Sequence, residues 1–323
     1  YTPITGGARV TVTGAVVPGS SNGSKLITTT DFLGQVTRYE DVFGTVTVPT
    51  YDALTGRVTQ VVTTPTVGAA QTLAYLYDAD GKPTEVKVNG VVFATPTYDA
   101  QQRLAQVTYV DGGKLNQLTR DAADRTVGLE WTFPSGTTVS DQVVRSQAGR
   151  IIRDTVTRGA TSYQSTYGYD AAGRLVSAKI PGHDLTYGFA ASGSCGVNAK
   201  AGASGNRTRV TDVWTAPGGS TVTTTSNYCY DWADRLTSST VTGAVAGAHA
   251  VADGLAPADV TYDARGNVTK LGDMMFAYDA ANRHMATMYS NGTSVTVARD
   301  AAGRVVSRTS TPLSCSHLPA GLS

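Results

Sequence analysis

The sequence predicts an all-β protein built as an antiparallel array of β-hairpins. The first observation is a heptad, complete at residues 169–175 with the sequence YDAAGRL, that recurs along the chain. The second is the strand character of the segments between the copies, which are rich in Val, Thr and Tyr. The third is the scarcity of helical periodicity, for which only a short turn near Val251 to Leu255 is a candidate. A repeated unit of this kind buries its apolar face against neighbouring copies.

Each heptad is predicted to form a strand, a tight turn and a second strand. Tyr169 is an amphipathic strand former. Asp170 can accept a hydrogen bond from the main chain two residues on, which starts a turn. Gly173 occupies the position where a positive φ is expected, and Arg174 with the following apolar residue restarts a strand. Many such units in series predict consecutive hairpins.

Seven further copies share this register and are assigned the same structural role. Six open with a Tyr-Asp pair, and the last opens with Arg299 in place of Tyr. Weaker copies lie at 39–46, 120–125 and 145–151. The structural repeat residues outside the first heptad are Tyr51, Asp52, Tyr77, Asp78, Tyr98, Asp99, Tyr230, Asp231, Tyr262, Asp263, Tyr278, Asp279, Asp300 and Gly303.

These heptads resemble the YD repeats of the Rhs family, which includes bacterial wall-associated proteins, the C component of Tc toxins and the animal teneurins. The resemblance covers residues 30 to 310, and the segment 205–211, GNRTRVT, is also similar to bacterial members. It implies a sheet wound into a curved spiral or shell that encloses a C-terminal toxin or presents a surface for adhesion. With about a dozen repeats, the chain is expected to form only a part of such a shell.

The repeats divide the chain into three predicted parts. Residues 1–30 form strands that lead into the array, residues 31–309 form the YD-repeat spiral, and residues 310–323 form a tail without repeats. Two stretches rich in Ala, Gly or Ser, 190–206 and 242–258, lack periodicity and are predicted to be mobile loops inserted at the surface. The tail is a candidate cover for a sheet edge, because edge strands with few charges can pair with another chain.

Composition narrows the class of protein. The chain has 26 basic and 25 acidic residues, for a formal net charge of +1, so it carries no electrostatic footprint for nucleic acid or an anionic membrane. No apolar run approaches the roughly 18 residues that a helix needs to cross a bilayer. Only 16% of residues are charged and 35 are Gly, which suits a turn-rich β protein outside the cytosol. Because the chain begins at Tyr1, without Met or a signal peptide, it is expected to be a piece of a longer secreted or cell-surface bacterial protein.

Three cysteines are present, and none has the spacing of a zinc site. Cys195 lies in a Gly/Ser-rich loop, and Cys229 lies in a strand that enters a turn. The two are a disulfide candidate, with two buried free thiols as the alternative, and Cys315 is left unpaired. A bridge closing a loop of this length would stabilise the fold by about 3 kcal/mol in the chain-entropy picture.

No catalytic, cofactor or metal site is predicted. His183-Asp184 could orient a base for a nucleophile, but the chain has no Gly-x-Ser-x-Gly elbow, so the pair is interpreted as surface turn residues. The segment from Asp78 to Gly81 is similar to the start of a calcium loop, but the third acidic ligand is missing and Lys82 follows.

The function that these observations favour is structural: a shell or scaffold segment for toxin encapsulation and delivery or for cell contact. Its partners would be the rest of the parent polypeptide or another shell segment, joined through sheet edges, and an enclosed toxin domain or a surface glycan. The alternative is a carbohydrate-binding or polysaccharide-acting protein built on the same sheet. Aromatic residues that could stack on sugars, or equally pack across strands, are Tyr228, Tyr230, Trp232 and Trp214.

Overall fold

The computed structural model describes residues 2–215, 219–243 and 254–311. These residues contain 27 β-strands and one helix, a 3₁₀ turn at Pro257–Asp259. The predicted all-β class with antiparallel hairpins is therefore confirmed. The helical turn proposed near 251–255 is wrong where it can be judged, since Gly254–Leu255 form a strand, and residues 251–253 lie outside the described residues. No helix in the described part of the chain is long and apolar enough to span a membrane.

The described residues divide into two units. The first unit contains residues 2–140 and 297–308, and the second contains 141–296 and 309–311 apart from the undescribed gaps. The strands that lie wholly in the first unit are β1 Thr2–Ile4, β2 Gly7–Thr13, β3 Lys25–Asp31, β4 Val36–Glu40, β5 Val46–Tyr51, β6 Val58–Thr64, β7 Gln71–Tyr77, β8 Pro83–Val88, β9 Val91–Tyr98, β10 Leu104–Tyr109, β11 Lys114–Arg120 and β12 Thr126–Thr132.

The remaining strands lie in the second unit or have residues in both units. The strands with residues in both are β13 Thr138–Arg145, β26 Ser294–Arg299 and β27 Val305–Thr311. The strands wholly in the second unit are β14 Ile151–Arg158, β15 Thr161–Tyr169, β16 Leu175–Ile180, β17 His183–Gly188, β18 Arg209–Thr215, β19 Thr221–Tyr230, β20 Leu236–Thr242, β21 Gly254–Leu255, β22 Val260–Tyr262, β23 Val268–Leu271, β24 Met274–Tyr278 and β25 His284–Tyr289.

Strands that follow one another in the chain pair as antiparallel neighbours. This holds from β1 to β12, from β14 to β21 and from β22 to β26. The register shifts beside the Tyr of the heptads: Tyr169 pairs with Leu175, whereas Gly168 pairs with Ser177. A β-bulge at this place increases the local twist of the hairpin.

The first unit contains a small cluster of buried apolar side chains. Val17, Leu26 and Val42 form it, and Val17 and Val42 are 2% and 0% exposed. Ala298, Ala301 and Val306 from the last heptad region, together with Tyr39 and Phe43, pack against these three side chains. Residues distant in the chain therefore complete the core of this unit.

The two predicted insertions have different outcomes. Residues 189–208 connect β17 to β18 without a strand of their own, as the prediction for 190–206 requires. This loop is not confined to the surface, because Asn198 and Ala201 are buried. Most of the second insertion, residues 244–253, lies outside the described residues, and so do residues 312–323 of the predicted tail with Cys315. Residues 310 and 311 belong to β27.

Candidate functional site

The site that the sequence singles out is the repeat turn, and residues 169–175 show its construction. The Asp170 N–H donates to the carbonyl oxygen of Arg174 at 3.0 Å, and the Gly173 N–H donates to the carbonyl oxygen of Asp170 at 2.9 Å. Gly173 has a φ of +79°, the conformation that the heptad predicts at this position. These features define a short hairpin loop in which a turn is closed by a left-handed residue and a bulge.

The Asp170 carboxylate holds the turn together. Its Oδ1 accepts the Arg174 N–H at 2.9 Å, and its Oδ2 accepts the Arg174 Nε–H at 2.7 Å. These bonds favour the ionised form, so the main-chain N–H of Arg174 first, and then its guanidinium, lower the pKa of Asp170 below its ordinary value. The same aspartate-to-Arg Nε bond occurs in Asp99–Arg103, Asp121–Arg125, Asp231–Arg235, Asp279–Arg283 and Asp300–Arg304.

Three predicted turns vary this pattern. Asp263 accepts from the side-chain amide of Asn267 at 2.8 Å in place of an arginine. Asp78 accepts the Lys82 N–H at 2.8 Å, so the segment that is similar to a calcium loop uses this aspartate in the turn. Asp52 instead bonds the N–H and hydroxyl of Thr55, in a loop that is one residue longer. In each variant the aspartate serves the main chain of its own turn.

Several heptads also bind the chain before them through their tyrosine, and Tyr169 shows how. The Tyr169 hydroxyl donates to the carbonyl oxygen of Ile151 at 2.8 Å, and the Arg150 guanidinium carbon lies 5.7 Å from the centre of the Tyr169 ring. Arg150 and Ile151 end the preceding weak copy of the heptad. We call this pair of contacts the tyrosine lock. In it, the tyrosine hydroxyl bonds to the strand that follows the preceding heptad, and a cation from that heptad lies over the tyrosine ring.

The tyrosine lock recurs along both units. Burial raises the pKa of Tyr98, Tyr230 and Tyr262, which keeps these hydroxyls as donors. In two further tyrosines the hydroxyl bond is made without the cation: Tyr51 to the Val36 oxygen at 3.0 Å and Tyr230 to the Arg207 oxygen at 2.8 Å. Both contacts are made by Tyr77 with Val58 and Arg57, by Tyr98 with Pro83 and Lys82, and by Tyr262 with Leu236 and Arg235.

The last heptad, residues 299–305, places a cation over the tyrosine of the weak copy at 39–46. Arg304 bonds to Asp300 within its own turn, and its guanidinium carbon lies 5.7 Å from the centre of the Tyr39 ring. Arg304 also donates to the Tyr39 hydroxyl. Within the first unit, residues 299–305 therefore stand in the position of a preceding repeat for the weak copy at 39–46. This contact joins residues 265 apart in the chain, and the sequence analysis did not find it.

The loop 189–208 is tied to two heptads. Arg174 donates to the carbonyl oxygen of Gly202 at 3.0 Å. The side-chain amide of Asn198 donates to Asp234 at 3.1 Å. A disulfide joins Cys195 to Cys229, the pair that the sequence analysis put forward. The predicted loop is therefore held at three places along its course, residues 195, 198 and 202.

Of the other candidate residues, the structure brings His183 and Trp214 together. His183 lies at the start of β17 and not in a turn, and its Nδ1 is 2.8 Å from Asp212 rather than bonded to Asp184. Trp214 stacks on His183 across the strands, at 6.2 Å between ring centres. Trp232 is 74% exposed. Tyr228 packs against Arg207, and the Tyr278 ring meets His284 edge-on.

A pair of carboxyl groups on β13 and β14 is not among the residues predicted from the sequence. Asp141 and Asp154 line a cavity of about 350 Å³ together with Tyr167 and Tyr169. Burial, and then the charge of Asp141 and a hydrogen bond with it, raise the pKa of Asp154 above its ordinary value. No signal in a single sequence brings two aspartates in separate strands together. Among the described residues no cluster of three or more His, Cys, Asp or Glu side chains could hold a metal ion.

Comparison of this chain with known proteins finds similar proteins only among solved structures. No protein family model matches it, and no curated protein matches it. It is similar to the crystal structure of TcdB2-TccC3, at 12% identity over 90% of this chain and 20% of that chain with a TM-score of 0.40. It is also similar to the Tc holotoxin pore of Photorhabdus luminescens, at 13% identity over 90% of this chain and 19% of that chain with a TM-score of 0.37. A porin-like protein from Bacteroides uniformis matches at 12% identity over 74% and 91% of the two chains with a TM-score of 0.25.

The chain thus spans about a fifth of the length of the Tc toxin chains that it matches. At these identities and TM-scores, the similarity carries no argument about function.

Proposed function

We propose that this chain is a structural segment of a YD-repeat shell or scaffold. It would belong to a secreted or cell-surface bacterial protein that encloses and delivers a toxin or mediates cell contact. The observation that carries the proposal is the tyrosine lock, in which the Tyr169 hydroxyl binds the Ile151 carbonyl oxygen of the preceding repeat. Contacts of this kind make each repeat depend on its neighbour, so the array behaves as a continuous wall and not as a series of independent hairpins.

The proposal assigns no catalytic role to the heptads. Their repeated charges pair within the turn, as Arg174 does with Asp170 at 2.7 Å, and they shape the main chain there. The partners of the chain would be the rest of its parent polypeptide or another shell segment, joined through sheet edges, and an enclosed toxin domain. A structural shell requires stable repeats and no reactive group, and the hydrogen bonds within each turn contribute to that stability.

The test uses the full-length gene product in the bacterium that makes it. The protein is tagged at its gene, recovered from the medium and the cell surface, and treated with protease. We expect a polypeptide enclosed by the repeats to resist digestion, and the double variant Tyr169→Ala, Tyr262→Ala to make it accessible. The variant Trp232→Ala, which changes a side chain that is 74% exposed, is the control and should leave protection unchanged.

Two results would contradict the scaffold proposal. One is recovery of the protein only inside the cell, with no longer polypeptide and no associated partner. The other is digestion of the associated polypeptide at the same rate in the native protein and in the double variant.

A further inference from the structure

A cleft lined by aromatic side chains lies at one end of strands β9 to β12 in the first unit. Phe93, Tyr109 and Trp131 line it with Phe133 and Pro134, and its volume is about 420 Å³. That volume lies within the range of about 300–1,000 Å³ typical of small-molecule sites. None of these aromatic residues belongs to a heptad, and the proposed scaffold does not use them.

The rings form a row across three strands. Tyr109 and Trp131 are stacked, with centres 5.9 Å apart and planes 23° apart. Phe93 meets Tyr109 edge-on at 5.8 Å. Phe93 remains 44% exposed despite its contact with Tyr109, and Phe133, which lines the same cleft, is 47% exposed. The row is thus an open surface of ring faces and edges rather than a closed core.

Polar groups stand at the rim of this row. Asp111 and Lys114 line the same cleft, Asp111 on the turn that joins β10 to β11 and Lys114 at the first position of β11. The Gly113 N–H donates to Asp111 Oδ1 at 2.9 Å, which holds the carboxylate in one orientation. One carboxylate and one ammonium give the rim no net charge. A few oriented polar groups beside an apolar floor are the usual arrangement for selecting a small ligand.

These features restrict the class of ligand. Strands β9, β10 and β11 are each paired on both sides, so their main chains offer no free edge to a peptide that would add a strand. A wholly apolar ligand would remove water from Asp111 and Lys114 without replacing their hydrogen bonds. A single lysine is too little positive charge for a nucleic acid. A neutral saccharide meets both requirements, because its C–H faces pack on aromatic rings and its hydroxyls bond with the charged rim.

We propose that this cleft binds a neutral oligosaccharide, with Trp131 and Tyr109 as the platform and Asp111 and Lys114 as hydrogen-bonding partners of the sugar hydroxyls. The site is distinct from the aromatic residues that the sequence analysis considered for sugar stacking. It does not depend on the scaffold function, since a shell segment with or without an enclosed partner could carry it.

The test is a titration of the purified full chain in which Trp131 is the only tryptophan. The background substitutions Trp214→Phe and Trp232→Phe remove the other two. The probes are soluble gluco-, manno-, xylo- and chito-oligosaccharides, each added separately while Trp131 emission is recorded. We expect a saturable shift of the emission with at least one series, because a sugar ring on the platform displaces water from the indole.

Variants of the native chain locate the binding by calorimetry. We expect Trp131→Ala to weaken binding by about tenfold or more, since an aromatic stacking partner is lost. Asp111→Asn keeps an oxygen that can accept from Gly113 but loses the charge, and should weaken binding several-fold while leaving the circular dichroism spectrum unchanged. Trp232→Ala is the matched control, an exposed tryptophan outside the cleft, and should bind as the native chain does.

Three results would overturn the proposal. The first is no change in Trp131 emission with any of the four series. The second is binding that Asp111→Asn and a folded Trp131→Ala leave unchanged. The third is a saturable response to neutral peptides with none to sugars. If Trp131→Ala fails to fold, the Asp111→Asn affinity decides alone. The protease test of the scaffold function and these binding measurements are independent, so a negative result in the protease test would not change the result expected here.

Discussion

Two heptad turns, 98–104 and 169–175, share one hydrogen-bond pattern and differ at their left-handed residue. In both, the arginine Nε bonds the aspartate Oδ2, at 2.8 Å for Asp99 and 2.7 Å for Asp170. In both, the tyrosine hydroxyl binds the preceding repeat. The left-handed residue is Gly173 in one turn and Gln102, with a φ of +64°, in the other.

The neighbouring repeat explains why one turn has glycine. A Cβ added to Gly173 would lie 1.7 Å from a guanidinium nitrogen of Arg150, the cation that covers the Tyr169 ring. In the other turn the cation is Lys82, and its Nζ donates to the Gln102 side chain at 2.6 Å. The conformation of the turn is therefore set by its own residues. Which residue fits at the left-handed position depends on the side chain that the adjacent repeat places beside it.

The largest effect is expected from removing a tyrosine. Tyr169→Ala should lower the free energy of unfolding by about 3 kcal/mol, because it deletes a packed ring and its hydroxyl bond. Tyr169→Phe should cost about 1 kcal/mol, the contribution of the hydroxyl bond to Ile151. Urea unfolding curves measure both, and Trp232→Ala is the exposed control. Equal stability of Tyr169→Ala and the native chain would remove the lock from the account of the fold.

The glycine substitution separates strain from crowding. Gly173→Val should destabilise by about 1–3 kcal/mol through left-handed backbone strain, with a further loss because Arg150 must move. Gly266→Val is the matched control, since Gly266 has a φ of +86° but nothing within 4 Å of an added Cβ. The same unfolding measurement should therefore show Gly173→Val to be the more damaging. If the two variants are equally destabilised, Arg150 does not restrict this position.

The pH dependence of stability should have opposite signs at two aspartates of the second unit. Because the pKa of Asp170 is lowered, its contribution is present above the ordinary value of 3.8 and is lost as pH falls through the folded-state pKa. Because the pKa of Asp154 is raised, its contribution is present below 3.8 and is lost as pH rises through the folded-state pKa. Asp170→Asn should therefore destabilise at neutral pH and much less in acid.

Asp154→Asn tests the other sign. An amide imitates the protonated carboxyl beside Asp141, so this variant should be more stable than the native chain at neutral pH, and the gain should shrink in acid. Thermal unfolding from pH 3 to pH 8 measures both variants against the native chain. A pH-independent effect of either substitution would show that its charge is not what matters there.

The smallest effect is expected at the other turn. Gln102→Gly should stabilise the fold by a few tenths to about 1 kcal/mol, because it relieves the strain of a left-handed residue that has a Cβ. The lost side-chain contacts and the larger entropy of the unfolded chain oppose this gain and keep it small. The exposed bond to Lys82 that it deletes contributes little. Denaturant midpoints should resolve the difference. A loss of stability would indicate that the Lys82–Gln102 contact outweighs the strain.

Much of the turn was predictable from residues 169–175, because its bonds join residues at most four apart. The bond from Asp170 to Arg174 and the positive φ of Gly173 follow from the chemistry of neighbours in the chain. The partners of Tyr169 were not predictable in the same way. Its hydroxyl reaches a carbonyl oxygen 18 residues earlier, which requires the register of β15 and the course of the preceding hairpin.

The candidate sites show the same division. The aromatic cleft joins Phe93, Tyr109 and Trp131 from three strands, and alternation within each strand does not say which rings meet. The only available hint was an aromatic residue before a Gly-rich turn, as at Tyr109 before Gly112 and Gly113. The proximity of Asp141 and Asp154 could not be predicted from the sequence, because an isolated aspartate is common on the polar face of a strand.

The sequence by itself determined that this protein is an array of hairpins with a turn at every heptad. The physical reason is that an Asp, a left-handed residue and an Arg satisfy one another within a single turn. Only the tertiary structure decided what the turns bind, through the tyrosine lock and the contact of Arg304 with Tyr39. It also decided which rings meet in the cleft. Those contacts join strands that meet through register and packing, and such pairings have no signature in a local stretch of chain.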